Sequence, residues 1–210
     1  MTTTSLFTLI DFSGVAVAAV GGALEAREDL AYNYDFIGVL GLGFVSALGG
    51  GITRDLILQH GPPLAFVDVR YILIALSGAL FGLLAASRFR AHLRAFIVPV
   101  DAAALALFAV SGATRALNNG LSALPALLLG VTTAVGGGAW RDVLSGRPPR
   151  VFESGELYAL VAIAAAALFL LLEARGLPRG TSTWIAVAAG FGLRLASLQL
   201  GWRTKAVRDS

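Results

Sequence analysis

The sequence predicts an all-α membrane protein, and three observations carry this prediction. The 210 residues are 57% hydrophobic and only 14% charged, whereas soluble domains carry about a quarter charged residues. The mean hydropathy is +0.78, and a soluble fold of this size cannot bury so much apolar surface. Finally, seven apolar stretches approach the length of a bilayer-spanning helix, and a sequence repeat relates the first three to the next three.

The seven stretches are expected to be transmembrane helices, because each approaches the about 20 mostly apolar residues that a span needs. The first contains Asp11 and is not preceded by a basic segment, so we expect an uncleaved span rather than a signal peptide. All seven belong to a single transmembrane domain over residues 1–210. The predicted spans are 6–24, 37–58, 71–87, 96–114, 121–143, 157–172 and 183–202.

The distribution of lysine and arginine predicts the orientation in the membrane, since cytoplasmic loops carry an excess of both. On one side lie Arg27, Arg88, Arg90, Arg94, Arg147, Arg150, Arg203, Lys205 and Arg208, and on the other Arg70, Arg115, Arg175 and Arg179. This bias predicts an external N-terminus and a cytoplasmic C-terminus. The net charge of +3 is spread over short loops without a contiguous basic face, which excludes nucleic acid as a partner.

An internal repeat divides the chain into two halves. Residues 11–26 align with 101–116 at an offset of 90, and GGGITRD at 49–55 aligns with GGGAWRD at 136–142 at an offset of 87. Shared low-complexity composition explains the first match but not the second. The repeats cover 6–87 and 96–172, and 183–202 is an extra seventh helix. Because each repeat has three spans, an odd number, the second repeat is expected to be inverted in the membrane.

The glycine triplets of the repeat have two interpretations. Glycine costs about 1 kcal/mol relative to alanine inside a helix, so a triplet needs a reason. Single glycines let helices approach closely, but contiguous ones favour kinked or unwound helices whose free carbonyls line a cavity. We predict the kink, with transient K⁺ or Na⁺ at carbonyls of Gly49, Gly50, Gly136 and Gly137 and no tight metal site. Gly51 and Gly138 complete the triplets.

Charged residues inside the spans are costly unless they are paired or hydrated, and they are functional by default. The topology predicts two equivalent ion pairs, Asp11–Arg54 and Asp101–Arg141, on opposite sides of the glycines. Arg54 and Arg141 are each followed by an aspartate, Asp55 and Asp142. Neighbouring side chains on a helix point about 100° apart, so pairing within each Arg-Asp unit is not expected. The alternative is that these charges end their helices and extend to the interface.

Arg194 lies inside the seventh span, where it either extends to the interface or faces Asp142 or Asp101. The sequence contains no HExxH, GxSxG or P-loop motif and no other recognisable catalytic constellation. We therefore expect a protein that is not an enzyme and that needs no cofactor.

The doubled glycine motif, set in paired repeats with a seventh helix, resembles the prokaryotic branch of the trimeric intracellular cation (TRIC) channels. The resemblance extends from Asp11 to about Gln199. It implies a homotrimer in the lipids of a prokaryotic inner membrane, with a pore for K⁺ and Na⁺ inside each subunit. By motif, it implies these pore-lining residues: Gly49, Gly50, Gly51, Arg54, Asp55, Gly136, Gly137, Gly138, Arg141 and Asp142.

Two other functions remain open. Inverted repeats are as typical of secondary transporters as of channels, so secondary transport of a small solute such as glycine is the main alternative. A membrane scaffold without transport is the third alternative, and the charges inside the spans argue against it.

Overall fold

The computed structural model describes residues 3–29, 32–88, 93–155 and 157–204. Within these ranges the chain forms eight α-helices, and a short 3-10 turn, Arg150–Phe152, follows the sixth. The helices are α1 (Thr3–Glu28), α2 (Phe36–Leu58), α3 (Leu64–Val67), α4 (Val69–Arg88), α5 (Leu93–Asn118), α6 (Ala123–Leu144), α7 (Tyr158–Ala174) and α8 (Arg179–Gln199).

Each predicted span coincides with one of the seven long helices, and only the four-residue helix α3 was not expected. The last helix begins four residues before its predicted span, at Arg179, because Pro178 supplies its N-terminal boundary. Three basic residues used for the orientation, Arg90, Lys205 and Arg208, lie outside the described residues.

Five of the described helices, α1, α2, α4, α5 and α6, are long and apolar enough to cross a membrane. Helix α7 is apolar but has only 17 residues. Helix α8 has 21 residues, but it contains Arg194 and is not among these five. The chain is therefore a helical membrane protein.

Local signals fix the ends of α2. The side chain of Asp35 accepts a hydrogen bond of 2.7 Å from the backbone N–H of Gly38, which caps the N-terminus. At the other end Gln59 adopts the left-handed conformation, with φ 54°. Gly61 and two prolines follow, and they prevent the helix from continuing.

The centre of the bundle consists of α1, α2, α5 and α6, which pack against one another. Helix α4 covers α1 and α2, and α7 covers α5 and α6. The same packing contact occurs within each half. A Cβ on Gly43 would lie 2.8 Å from the Cβ of Ala79, and one on Gly130 would lie 3.2 Å from the Cβ of Ala166. Both members of the second pair follow the first by 87 positions, so the repeat in the sequence recurs in the packing.

Helix α8 packs mainly on the second half, against α5 and α7. A Cβ on Gly190 would lie 2.7 Å from the Cβ of Ala165 and 3.3 Å from that of Ala106. By the offsets of the repeat, Gly78 is equivalent to Ala165 and Ala16 to Ala106. These two residues of the first half line an open apolar groove between α1 and α4. The extra helix therefore makes the two halves unequal in their surroundings.

Candidate functional site

The glycine triplets lie where α2 and α6 cross, and both helices run without interruption through 49–51 and 136–138. The prediction that these helices are broken or unwound is therefore wrong. The carbonyls of Gly49, Gly50, Gly136 and Gly137 stay in helical backbone and are not freed to bind a cation. A bend that keeps the helical hydrogen bonds stays a prediction.

The middle position of each triplet requires glycine because the backbone of the opposite helix lies too close for a side chain. A Cβ on Gly50 would lie 2.1 Å from the carbonyl oxygen of Thr133, and one on Gly137 would lie 2.1 Å from the carbonyl oxygen of Ser46. The same contact thus occurs twice, once in each direction. Close backbone approach, the alternative to the kink, is the reason for these glycines.

The third glycine of each triplet lies beside an arginine and lines a cavity. A Cβ on Gly51 would be 3.7 Å from Nη2 of Arg54, and one on Gly138 would be 3.8 Å from Nη2 of Arg141. The first glycines are placed differently. A Cβ on Gly49 would be 3.0 Å from the Trp140 side chain, and one on Gly136 would be 3.1 Å from the Cα of Gly50. Only the third position of each triplet therefore offers bare backbone to a cavity.

The predicted pair Asp11–Arg54 is confirmed, with 2.8 Å between Oδ1 and Nη1. Both side chains are buried, at 2% and 1% exposure. Arg54 donates five hydrogen bonds, to Asp11, Asp55 and Ser111, so each of its N–H groups has a partner. The hydroxyl of Tyr71 donates to Asp11 at 2.7 Å. This complete network is what allows a charge to be buried in the bundle.

The Arg-Asp units also pair internally, contrary to expectation. Nε of Arg54 lies 2.8 Å from Oδ1 of Asp55, and Nη2 of Arg141 lies 2.7 Å from Oδ1 of Asp142. The long arginine side chain can fold back along its helix, which the angle between neighbouring Cβ atoms does not reveal. Each aspartate also accepts a backbone hydrogen bond from the next short element, from the N–H of Leu64 in α3 and of Arg150 in the 3-10 turn.

The predicted pair Asp101–Arg141 is wrong. Arg141 instead pairs with Glu25, with 2.8 Å between Nη1 and Oε2, in addition to Asp142. Asp101 accepts a hydrogen bond of 3.1 Å from the hydroxyl of Tyr158. It also lies 3.9 Å from Nη2 of Arg194, so Asp101 is the carboxylate that Arg194 faces.

A difference between the two repeats explains why Arg141 pairs with Glu25 instead of Asp101. Glu25 and Arg115 occupy equivalent positions, yet their charges are opposite. Arg115 approaches Asp55, with 3.9 Å between Nε and Oδ1, whereas Glu25 presents a carboxylate to Arg141 and takes the place that Asp101 was expected to fill. One exchanged charge therefore redirects the ion pairs of the second half.

The loop after α6 adds to the second network. Arg150 pairs with Glu25, and Arg147 pairs with Asp29 at the end of α1. Partial burial works against the charge on Arg150, but the facing Glu25 carboxylate favours it. The net effect raises the pKa of the Arg150 guanidinium above its usual value, so this group stays charged.

Small cavities accompany the two networks, and besides the two named below a third is lined by Arg141, Asp142 and Arg150, among others. The Arg54 cavity is lined by Asp11, Gly51, Arg54, Asp55, Tyr71 and Phe108, among others. The Arg141 cavity is lined by Glu25, Ser46, Asp101, Phe108, Gly138, Arg141 and Tyr158, among others. Each holds space for about one water molecule. Among the residues described, no group of three or more His, Asp or Glu side chains is arranged to hold a metal ion.

Sequence reasoning missed Glu25, Tyr71 and Tyr158. All three could have been identified by comparing equivalent positions of the two repeats. The two tyrosines are 87 positions apart, as the glycine triplets are, and each donates to the aspartate that begins its half. Glu25 stands opposite Arg115 in the first aligned block. Comparing the repeats position by position, including their differences, identifies these residues.

The sequence of the chain matches one family model and is similar to the sequences of bacterial membrane proteins. Residues 8–87 and 98–174 each match the model of a family described as "Glycine transporter". The UPF0126 inner membrane protein YadS of Escherichia coli K12 is 32% identical over 93% of this chain and 92% of that protein. The UPF0126 membrane protein of Deinococcus radiodurans is 38% identical over 78% of this chain and 74% of that protein.

Solved structures share the fold. The crystal structure of a TRIC trimeric intracellular cation channel orthologue from Rhodobacter sphaeroides has a TM-score of 0.85 and 36% sequence identity. The match covers 94% of this chain and 99% of that chain. The resemblance noted in the glycine motifs therefore extends to the arrangement of the helices.

Proposed function

Because the chain belongs to the prokaryotic branch of the TRIC family, matched twice by the family model described as a glycine transporter, we propose that it is a cation channel. The ion pathway runs inside each subunit, along α2 and α6. It connects the Arg54 cavity with the Arg141 cavity past the crossing of these helices.

The charges that line the two cavities carry this proposal. Asp11 and Asp55 accompany one arginine in the Arg54 cavity. Glu25 and Asp101 accompany one arginine in the Arg141 cavity. Each cavity is thus lined by two carboxylates and one guanidinium, and the carboxylates are the groups that attract cations to the pathway. We expect the ions to be K⁺ and Na⁺, bound transiently, as the resemblance to the TRIC channels implies.

The pathway residues follow from this arrangement. The glycines act at the crossing and beside the arginines, and the charged side chains set the field in the cavities. The proposed pathway residues are Gly49, Gly50, Gly51, Arg54, Asp55, Gly136, Gly137, Gly138, Arg141 and Asp142, supported by Asp11, Asp101 and Arg194.

The topology proposal is seven spans: repeats 6–87 and 96–172 in opposite orientations, then a seventh helix. The reciprocal contacts of Gly50 with Thr133 and of Gly137 with Ser46 support a two-fold relation between the halves. We further propose an external N-terminus, a cytoplasmic C-terminus, a location in the inner membrane and assembly into a trimer. The names of the relatives support the last two.

Single-channel recording of the purified protein in planar bilayers tests the proposal. We expect discrete unitary currents that are carried by K⁺ and Na⁺ and that persist without any solute gradient. The absence of unitary currents from protein that is folded and trimeric would contradict channel function.

The second candidate is a secondary transporter of glycine, which the description of the matched family favours. A transporter would catalyse slow, saturable uptake of radiolabelled glycine into proteoliposomes. The channel proposal predicts no uptake of glycine above that of protein-free liposomes. Saturable uptake together with no unitary current would favour the transporter instead.

A further inference from the structure

We infer that Phe108 is the hydrophobic barrier that separates the two halves of the ion pathway. This inference rests on the proposed channel function and names the residue that closes the channel. Phe108 lies in α5 and is 3% exposed. Among the residues that line the Arg54 cavity and the Arg141 cavity, it alone belongs to both.

The absence of a side chain at Gly14 leaves the space that the Phe108 ring occupies. A Cβ on Gly14 would lie 2.8 Å from Cε1 and 2.9 Å from Cδ1 of Phe108, so only a residue without a side chain leaves room for the ring here. The barrier comes from one repeat only. The position equivalent to Phe108 is Ala18, and the position equivalent to Gly14 is Ala104. A large ring of the second repeat over a glycine of the first thus corresponds, by the repeat, to a pair of alanines.

An aromatic ring between two charged cavities stops ions because it offers no group to replace the water that the ion loses. The rest of the partition is the crossing of α2 and α6, where backbone atoms touch and cannot separate without moving whole helices. The Phe108 side chain can change rotamer alone. It is therefore the part of the partition that can open while the helices stay in place.

Cysteine accessibility tests the barrier without measuring current. The chain has no native cysteine, so Gly51→Cys and Gly138→Cys place one thiol in each cavity. At both positions the nearest atom to a new Cβ is 3.7 Å or more away. Ag⁺, a thiol-reactive ion close to K⁺ in size, is added to one face of the membrane, using spheroplasts or inverted membrane vesicles. Thiols that remain free are then labelled with a fluorescent maleimide.

With Phe108 present, we expect each cysteine to react severalfold faster from one face than from the other, and the preferred face to differ between the two cysteines. With Phe108→Ala, the rates from the two faces should become similar. Phe169→Ala is the matched control, since Phe169 is also fully buried but lines neither cavity. It should leave the difference between the faces unchanged. Phe108→Leu should reduce that difference partially, and it serves if the alanine variant does not fold.

The outcomes separate the barrier from the channel. If both Phe108 variants keep the wild-type difference between faces, the barrier is overturned, even if unitary currents are observed. If Phe108→Ala equalises the rates but no variant conducts, the barrier stands and the channel proposal falls. Equal rates in Phe169→Ala would mean that general loosening of the bundle explains the result, and this would also overturn the inference.

Discussion

Glu25 and Arg141 form an ion pair of 2.8 Å between α1 and α6, where the repeat alone predicts Asp101 as the partner. If this pair is direct, Glu25→Gln and Arg141→Gln should not be additive in the free energy of unfolding in detergent. We expect the double-mutant cycle to give a coupling of about 1–3 kcal/mol, because removing one member leaves a buried charge without its partner.

The cycle of Asp101→Asn with Arg141→Gln is the control, since these two residues form no ion pair. Its coupling should be clearly smaller. A larger coupling for Asp101 than for Glu25 would show that Arg141 has the partner predicted from the repeat after all.

The second prediction concerns the buried pair Asp11–Arg54. Arg54→Gln should destabilise the protein by about 3–5 kcal/mol, because Asp11 is left as a buried carboxylate without a cation. Combining it with Asp11→Asn should recover part of this loss. Chemical unfolding followed by tryptophan fluorescence gives the values. The pair Asp68–Arg70, with Arg70 64% exposed, is the control, and breaking it should barely change the free energy of unfolding. Equal costs at the two pairs would argue that Arg54 is hydrated.

How much of this site could be predicted differs between the two halves. The Asp11–Arg54 pair followed from topology, because both residues fall at the same depth in neighbouring spans. Applying the same rule to the second half failed because Glu25 and Arg115 have opposite charges at equivalent positions. A repeat predicts which positions meet, but the residue at every position decides which charges pair.

The glycine triplets illustrate a different limit. Contiguous glycines inside a span are consistent with both a broken helix and a tight crossing, and sequence alone does not identify the helix on the other side. The 2.1 Å separations at Gly50 and Gly137 involve carbonyls of the opposite helix, which only the fold reveals. The helix positions themselves were predictable, because apolar length is a local property of the chain.

The third prediction tests the crossing of α2 and α6. Gly50→Ala and Gly137→Ala should lower the melting temperature strongly or prevent folding, because each methyl group would overlap a carbonyl oxygen. Gly41→Ala and Gly192→Ala are matched helix controls with no atom within 4 Å of the new Cβ. These should be neutral or stabilising by up to about 1 kcal/mol. Similar melting temperatures for all four variants would mean that the helices do not touch at the triplets.

The fourth prediction concerns ion selectivity. Asp101→Asn removes one of the two carboxylates that line the Arg141 cavity, so the preference for K⁺ over Cl⁻ should decrease. The reversal potential in a KCl gradient measures this preference. Glu173→Gln is the control, since Glu173 pairs with Arg179 and lines neither cavity. A shift in the control as large as that in Asp101→Asn would indicate that net charge, not the cavity, determines selectivity.

In the proposed pathway, cations cross the membrane through each subunit between α2 and α6. Ser46 lies at this crossing and lines the Arg141 cavity, and the chain contains no cysteine that would compete for a thiol reagent. The most direct test is single-channel recording of wild-type protein and Ser46→Cys, before and after a positively charged methanethiosulfonate reagent is added. In a KCl gradient without Na⁺, we predict unitary currents that reverse near the K⁺ equilibrium potential and that the reagent reduces in Ser46→Cys but not in wild type. Cation currents that persist unchanged in fully modified Ser46→Cys would contradict this pathway.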